Sequence, residues 1–374
     1  MNRMENETYP LVLKPVVLEK PWGATGKGPD LVSGISPDLK IGEVWLTADG
    51  EYQSTIENGF LAGMTLKDLR LRWGDNLLGH RFAHLKNQPF PLLLKFIHAA
   101  EYLSVQVHPD DQTAEKLEGV GPGKTEAWYI LEAAAGAELI LGLEPGVSRA
   151  ALSEALKRRQ IEKILHRVKP RPSDIYYVQA GLLHAIGPGI TLFEIQQNVD
   201  LTYRFYDWER KDDQGRFREL HVSKAMEALK VSAEQAESFS GLSYEMGGVR
   251  VTAMAAGRYF ALERWELTSD YQGLMDGSRF DVLTVIAGQG RIETLKPDQT
   301  VSLNRGTTVL FPAALGAYQI LPSPELVLLR SFVPDLEADV VLPLRKRGFY
   351  LADIRKLAGW RRPNDLSIFS ENNK

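Results

Sequence analysis

Short segments of strand-forming character, separated by glycine and proline turns, make up most of the chain and constrain its fold more than any other feature. In the first two-thirds, apolar residues alternate with polar ones or run together over short stretches, as in half-buried and fully buried strands. The predicted strands there are 92–97, 102–107, 128–131, 138–142, 174–178, 191–196 and 201–206. Many short strands of this kind fold into a sandwich or barrel, and a double-sheet jelly roll is one such solution. The predicted fold class is therefore mainly β.

A second series of short strands follows a polar stretch rich in Ser, Glu and Gly, which we interpret as a linker at 232–248. The predicted strands of this series are 249–254, 259–267, 281–286, 290–295, 307–311, 318–321 and 326–329. Between two of them the sequence Ala-Gly-Gln-Gly, at 287–290, predicts a tight hairpin, because glycine adopts positive φ without strain. We accordingly divide the chain into a first domain at 1–231, a second domain at 249–334 and a C-terminal extension at 335–374.

Helical patterns are few, and most lie in the first domain. The clearest spans 148–168, where Ser148 can cap the helix and apolar residues recur every three or four positions. It indicates a helical insertion at about 147–169. A shorter pattern follows Thr65, and another covers 222–231.

Composition excludes several classes of function. The chain has no cysteine, so any metal must use nitrogen and oxygen ligands. Its 44 basic residues nearly balance its 48 acidic ones, so no overall field draws it to nucleic acid or to an anionic membrane. The most apolar stretch, 90–100, is far shorter than the ~20 residues that span a bilayer. Because the N-terminus carries Glu5 and Glu7 and no apolar run, we predict a cytoplasmic protein without a signal peptide.

Histidines are confined to the first two-thirds of the chain. They are His80, His84, His98, His108, His166, His184 and His221. Gln106 and His108 lie on the same face of a predicted strand, since side chains two apart point the same way. Glu126 begins the next strand, and His184 follows a turn that could present its ring to a cavity. Two imidazoles with two oxygen donors suit Zn²⁺ or a similar divalent ion. A core or surface role is the alternative for each histidine, and we keep it for the other five.

Six short segments of the first domain carry a further signal. They are IGEVW (41–45), LLLK (92–95), LSVQVHPD (103–110), GKTE (123–126), GLLHAIG (181–187) and EIQQNVDLTYR (194–204). In this order they resemble the type I mannose-6-phosphate isomerase family of the cupin superfamily, and the resemblance covers roughly residues 15 to 210. The sequence departs from the usual family pattern at Ala24, Gln179 and Val199, which touch turns and a pocket wall.

The resemblance implies two cupin-type jelly-roll barrels, with helical insertions in the N-terminal half. It also implies a single metal ion, usually zinc, whose ligands here are Gln106, His108, Glu126 and His184. These are the four residues that spacing had already brought together. By the same resemblance Arg204 is the active-site arginine, and further residues line the same pocket. Those residues are Lys95, Lys124 and Glu194.

Conversion of an aldose to a ketose moves a proton between C1 and C2, which needs a base and a group that stabilises the developing enediolate. We assign the second role to Arg204, whose guanidinium is always charged. The base stays open among Glu194, Lys124, Lys95 and a metal-bound water. The substrate we predict is a small sugar phosphate, and its phosphate would bind to Lys95, Lys124 and Arg204, with a hydroxyl from Ser104.

Two other functions compete with the isomerase. A cupin oxygenase with bound iron could use similar ligands, but it has no evident need for Arg204 and the lysines. A noncatalytic sugar-binding regulator is expected to have lost a ligand, and all four are present. The second domain has no histidine, so we expect no comparable metal site there and interpret Tyr318 as core filling. Whether the chain forms a homo-oligomer stays open.

Overall fold

The computed structural model describes residues 8–25, 38–85, 87–119, 121–212, 214–231, 236–295, 298–359 and 363–370. The chain is mainly β, as predicted, with short helices between the strands. In the part that is described, no helix is both long enough and apolar enough to cross a membrane.

The strands and helices have the following bounds. The strands are β1 Leu11–Lys14, β2 Val16–Thr25, β3 Lys40–Trp45, β4 Thr55–Ile56, β5 Leu92–Ala99, β6 Val105–Val107, β7 Glu126–Ala133, β8 Leu139–Leu143, β9 Leu165–Val168, β10 Ile175–Val178, β11 His184–Ile186, β12 Ile190–Gln197, β13 Tyr203–Tyr206, β14 Leu242–Met246, β15 Val249–Ala256, β16 Ala261–Leu267, β17 Tyr271–Met275, β18 Asp281–Leu295, β19 Asp298–Leu303, β20 Thr308–Phe311 and β21 Gly316–Phe332. The α-helices are α1 Leu66–Trp73, α2 Asp75–Leu78, α3 Asp111–Glu118, α4 Arg149–Lys157, α5 Val222–Ala228, α6 Leu342–Lys346 and α7 Leu351–Ile354. Single turns of 3₁₀ or π-helix are Gly59–Leu61, His80–Leu85, Ile161–Ile164, Leu336–Val341, Arg355–Ala358 and Asp365–Ile368.

Three sheets organise these strands. A six-stranded sheet has the order β10-β7-β12-β5-β3-β2, and a five-stranded sheet has the order β13-β6-β11-β8-β9. The two face each other, because buried residues of one, such as Trp128 and Leu192, pack with Leu139 and Ile186 of the other. The third sheet has ten strands in the order β14-β15-β16-β21-β18-β20-β1-β4, with β17 on β21 and β19 on β18.

The N-terminal strand belongs to the ten-stranded sheet. Leu11 in β1 pairs with Leu310 in β20, and Leu13 pairs with Ile56 in β4. The two halves also share one hydrophobic core, in which the rings of Phe90 and Phe280 lie 4.7 Å apart. The domain boundaries drawn from the sequence therefore stay a prediction, and within its linker residues 232–235 lie outside the described ones.

The predicted helix at 148–168 is wrong over its second half. Ser148 caps α4 as expected, its hydroxyl accepting from the Ala151 N–H at 3.1 Å, but the helix ends at Lys157. Arg159 has φ of 56°, a left-handed conformation that a right-handed helix cannot contain. The apolar residues beyond it are buried as a 3₁₀ turn and as β9, which pairs with β8.

The predicted hairpin at 287–290 is also wrong. Strand β18 continues through these residues, and its register against β21 shifts on both sides of Gly288. Gly288 has φ of 73°, and a Cβ there would lie 2.2 Å from the Glu325 carbonyl oxygen. Its glycine character therefore permits a bulge and a close approach to β21 rather than a chain reversal.

The interior of the ten-stranded sheet holds a buried ionic cluster. Arg330 Nε donates to Asp281 Oδ2 at 2.8 Å, and its Nη1 donates to Glu263 Oε2 at 3.0 Å. Burial alone would lower the pKa of Arg330, but these two carboxylates raise it above its usual value. Tyr318 is buried in the neighbouring apolar cluster, as predicted.

We expect Arg330→Ala to lower the free energy of unfolding by about 3–5 kcal/mol, because it removes the cation that pairs with two buried carboxylates and leaves Asp281 with Arg279 alone. Urea unfolding monitored by tryptophan fluorescence measures the loss. Arg291→Ala is the matched control. Arg291 pairs with Glu293 on β18, the strand that also carries Asp281, but this ion pair is half exposed. Exposed pairs contribute below about 1 kcal/mol. Equal losses in the two variants would contradict a stabilising role for the buried cluster.

Candidate metal centre

The facing sheets bring three potential metal ligands together. Gln106 and His184 are paired across β6 and β11 of the five-stranded sheet, and His108 directly follows β6. Glu126 is the first residue of β7 in the opposite sheet. The Glu126 carboxylate lies 3.5 Å from His108 Nε2 and 3.5 Å from His184 Nε2. The ligand atoms of these three residues all lie within 4.8 Å of one another, and all three residues are buried.

Backbone hydrogen bonds fix both imidazole rings in the orientation that a ligand needs. His108 Nδ1 lies 2.8 Å from the Leu201 carbonyl oxygen, and His184 Nδ1 lies 2.9 Å from the Leu182 carbonyl oxygen. A carbonyl only accepts, so each Nδ1 carries the hydrogen and each Nε2 presents a lone pair towards Glu126. Such second contacts orient metal-binding histidines in general.

Both rings are held neutral, which metal binding requires. Burial, followed by the charge of Lys124, lowers the pKa of His108 well below its usual value. Burial likewise lowers the pKa of His184 to about 4, with a smaller effect of Lys124 in the same direction.

Glu126 carries the strongest indication that a cation fits here. Its buried Oε1 accepts no hydrogen bond from the described residues, which is costly unless a cation is near. The ammonium of Lys124 lies 2.9 Å from Glu126 Oε2 and 3.1 Å from His108 Nε2. The cluster therefore already attracts a positive charge, and its nitrogen and oxygen donors suit a divalent ion such as zinc.

Gln106 stands at the edge of this cluster. Its Nε2 lies 3.3 Å from His184 Nε2, and its Oε1 accepts from the Ser104 hydroxyl at 3.1 Å. Half a turn of the amide would direct Oε1 to the cluster and let Nε2 donate to Ser104. The two amide orientations are nearly equal in shape, so Gln106 can supply the fourth ligand.

A chain of buried charges lies beside the cluster on the six-stranded sheet. Lys95 Nζ is 3.4 Å from Glu194 Oε1 and 3.8 Å from Glu43 Oε2. Burial would lower the pKa of Lys95, but Glu43 and Glu194 raise it above its usual value, so Lys95 stays protonated. Glu194 differs: burial and then the nearby Glu126 raise its pKa. Its Oε2 accepts from Trp128 Nε1 at 3.0 Å, and its buried Oε1 accepts no hydrogen bond within the described part of the chain.

Arg204 lies on β13 beside Gln106 of β6. Its Nη1 donates to the Glu219 carbonyl oxygen at 2.7 Å, while its buried Nε has no acceptor among the described residues. Burial and then the guanidinium of Arg218 lower its pKa. Two guanidinium groups held close together create a site that favours an anion.

These groups meet at one cavity of about 260 Å³. All the predicted site residues line it except His108, whose ring centroid lies 4.7 Å from that of His184. The other five histidines, all within the described ranges, lie outside it. Five cationic and four anionic side chains of the described residues line the cavity. They are Lys20, Lys95, Lys124, Arg204 and Arg218, and Glu43, Glu126, Glu194 and Asp200.

Four of these charged residues were not predicted. Glu43 and Asp200 belong to sequence segments that carry the family resemblance, 41–45 and 194–204, so their position was the available signal. Lys20 and Arg218 lie outside those segments, so no such signal pointed to them. Lys20 Nζ lies 3.3 Å from Glu43 Oε1.

Comparisons with known proteins give consistent matches. The family model described as phosphomannose isomerase type I, catalytic domain, matches residues 11–129, and the model described as mannose-6-phosphate isomerase, cupin domain, matches residues 250–332. Mannose-6-phosphate isomerase ManA of Bacillus subtilis (strain 168) is 36% identical over 314 residues, which are 84% of this chain and 96% of that protein. Mannose-6-phosphate isomerase of Streptococcus mutans is 33% identical over 313 residues, 83% of this chain and 94% of that protein. The crystal structure of mannose 6-phosphate isomerase from Bacillus subtilis superposes with a TM-score of 0.78 at 32% identity and covers 87% of this chain and 99% of that one.

Proposed function

Because the chain belongs to the type I mannose-6-phosphate isomerase family, we propose that it interconverts mannose 6-phosphate and fructose 6-phosphate by moving a proton between C1 and C2. One observation carries the proposal. A buried cluster able to hold a metal and a set of cationic side chains meet at the same cavity.

Four residues would hold one divalent ion, and zinc is the ion we propose. They are Gln106, His108, Glu126 and His184. When bound, the ion polarises the oxygens of the sugar and so favours loss of the neighbouring proton. Without the ion, the five cationic and four anionic side chains that line the cavity have a net charge of one positive unit. A divalent ion would bring this net charge to three positive units, which suits a phosphate dianion.

Glu194 is the base that we favour among the four candidates. Its pKa is raised in the direction of neutral pH, and a general base is most effective when its pKa lies near the working pH. Its Oε1 accepts no hydrogen bond from the described residues and can take a proton, while Trp128 holds Oε2. Lys95 is a poor base because its neighbouring carboxylates keep it protonated. We assign it instead to binding, together with Lys124.

Arg204 would stabilise negative charge as the enediolate forms, because its unpaired Nε–H is a donor held in a buried site. Ser104, with a buried hydroxyl beside Gln106, would add a donor to the substrate. The phosphate would bind towards Arg218.

The proposal also covers the barrel architecture, the location in the cell and the oligomeric state. We propose that the facing five- and six-stranded sheets, and separately the ten-stranded sheet, correspond to two cupin-type jelly-roll barrels. We also propose a cytoplasmic location, since a chain without cysteine suits a reducing compartment. Light scattering measures whether the chain forms a homo-oligomer.

The test of the proposed function is an assay of purified protein reloaded with zinc. With mannose 6-phosphate as substrate, we expect fructose 6-phosphate to form, and we expect chelation of the metal to stop it. If the reloaded protein binds the sugar phosphate without converting it, the regulator is the better interpretation. Oxygen consumption by the iron-loaded protein would favour the oxygenase.

Arg218→Ala is expected to raise KM for the sugar phosphate about tenfold with little change in kcat. Arg218 is one-third exposed, so we expect the low end of the roughly 1.5–3 kcal/mol of a charged hydrogen bond. The matched control is Arg216→Ala, an exposed arginine on the same loop that pairs with Asp212. A KM unchanged by Arg218→Ala would place the phosphate elsewhere in the cavity.

A further inference from the structure

The loop that leads into Glu126 is held in place by hydrogen bonds to an aspartate that is not a ligand. Asp111 Oδ1 accepts from the Gly123 N–H at 2.8 Å and from Gln197 Nε2 at 3.1 Å. Gln197 in turn accepts from the Thr125 N–H at 2.9 Å through its Oε1. The backbone on both sides of Lys124, directly before Glu126, is therefore fixed through one carboxylate.

The other oxygen of Asp111 is held by the ten-stranded sheet. Tyr259, between β15 and β16, donates its hydroxyl to Asp111 Oδ2 at 2.6 Å. Burial and then Asp111 raise the pKa of Tyr259, so the hydroxyl keeps its proton and stays a donor. This contact joins residues 148 positions apart in the chain. It links the ten-stranded sheet to the loop that precedes the candidate ligand Glu126.

The C-terminal residues support the same region from outside. Asp365 accepts from the backbone N–H and from Nε of Arg258, each at 2.8 Å, and the Arg258 guanidinium lies over the Tyr259 ring at 5.6 Å. Neither family model matches residues after 332. Leu351, Ile354 and Leu357 of this extension are buried against the ten-stranded sheet.

The second ligand-bearing turn also contacts this extension. Gln179 Nε2 donates to the Ala358 carbonyl oxygen at 3.2 Å, and the Gln179 carbonyl accepts from the Leu182 N–H at 3.0 Å. Leu182 provides the carbonyl that orients the His184 ring. The turns leading to Glu126 and to His184 are thus each braced by residues from the C-terminal third of the chain.

We propose that Tyr259, acting through Asp111, is a positioning residue for the metal centre, and that the ten-stranded sheet serves catalysis by holding the ligand loops in place. The inference rests on the proposed metal site, and Gln179 with Ala358 provides a second brace of the same kind. Contacts made directly to metal ligands change metal affinity by about 10- to 100-fold when they are removed, and for this more distant contact we expect the lower end of that range.

The experiment measures zinc affinity by competition with a chromophoric chelator, alongside the melting temperature of the zinc-free protein. We expect Tyr259→Phe to weaken zinc binding about tenfold while the zinc-free protein melts close to wild type. Tyr271→Phe is the matched control, because it removes a hydroxyl that bonds to Tyr318 within the same sheet, beside an apolar cluster that contains none of the predicted ligands. Its zinc affinity should equal that of wild type.

A double-mutant cycle with Asp111→Ala separates positioning from general stability. If Tyr259 acts through Asp111, the double variant binds zinc no more weakly than Asp111→Ala alone. Wild-type zinc affinity in a folded Tyr259→Phe protein, or fully additive losses in the cycle, would overturn the inference and leave the proposed function intact. Failure of the wild-type protein to bind zinc would instead overturn the proposed function.

Discussion

Replacing Glu126 by glutamine is expected to empty the metal site and to lower kcat/KM at least about a thousandfold. Glutamine keeps the size of the side chain but removes the negative charge that lies 3.5 Å from both histidine Nε2 atoms. The remaining ligands are neutral, and Lys124 would then repel an incoming cation. A loss of several kcal/mol of charge stabilisation corresponds to this factor, at about 1.4 kcal/mol per tenfold.

Metal content after gel filtration and turnover of mannose 6-phosphate measure the effect of this change. Glu132→Gln is the matched control, since Glu132 lies on the same strand, is exposed and makes a loose pair with Arg305. It should retain both metal and activity. A Glu126→Gln protein that holds one zinc per chain and turns over at the wild-type rate would show that the cluster is not the catalytic metal site.

Arg204→Ala is expected to lower kcat about 100- to 1,000-fold while the protein keeps its metal. The reason is that a buried donor aimed at developing negative charge acts mainly in the transition state, where removal of one such donor costs about 2.7–4 kcal/mol. Arg204→Lys should recover only part of the loss, because an ammonium does not reproduce the planar fork of a guanidinium.

Steady-state kinetics and metal content together test the role of Arg204. Arg159→Ala, which removes an arginine with a largely exposed side chain, should leave kcat and KM unchanged. If Arg204→Ala changed KM alone, Arg204 would act in binding and some other group would stabilise the enediolate.

The metal cluster could be predicted because local rules apply to it. Alternation along a strand places Gln106 and His108 together, and the chemistry of nitrogen and oxygen ligands limits which residues can join them. Glu126 joined the predicted set because it begins the next strand, but that it faces the others from the opposite sheet depends on tertiary packing, which spacing does not determine.

The misassigned elements show where local rules end. Residues after Arg159 have helical spacing of apolar side chains, yet one left-handed residue and a free edge on β8 convert them to a strand. The glycines at 288 and 290 fit a hairpin equally well as a bulge, and only the presence of β21 decides between the two. The role of Arg218 could not be predicted, because its place beside Arg204 depends on how its loop folds.

The pairing of β1 with β20 has a consequence for synthesis on the ribosome. Leu11 emerges nearly 300 residues before its partner Leu310, and contacts so distant along the chain form late and slowly. During elongation β1 therefore presents an unpaired edge, the kind of surface on which nascent polypeptides associate wrongly. A chaperone that shields this segment until the last strands are translated would raise the yield of folded protein.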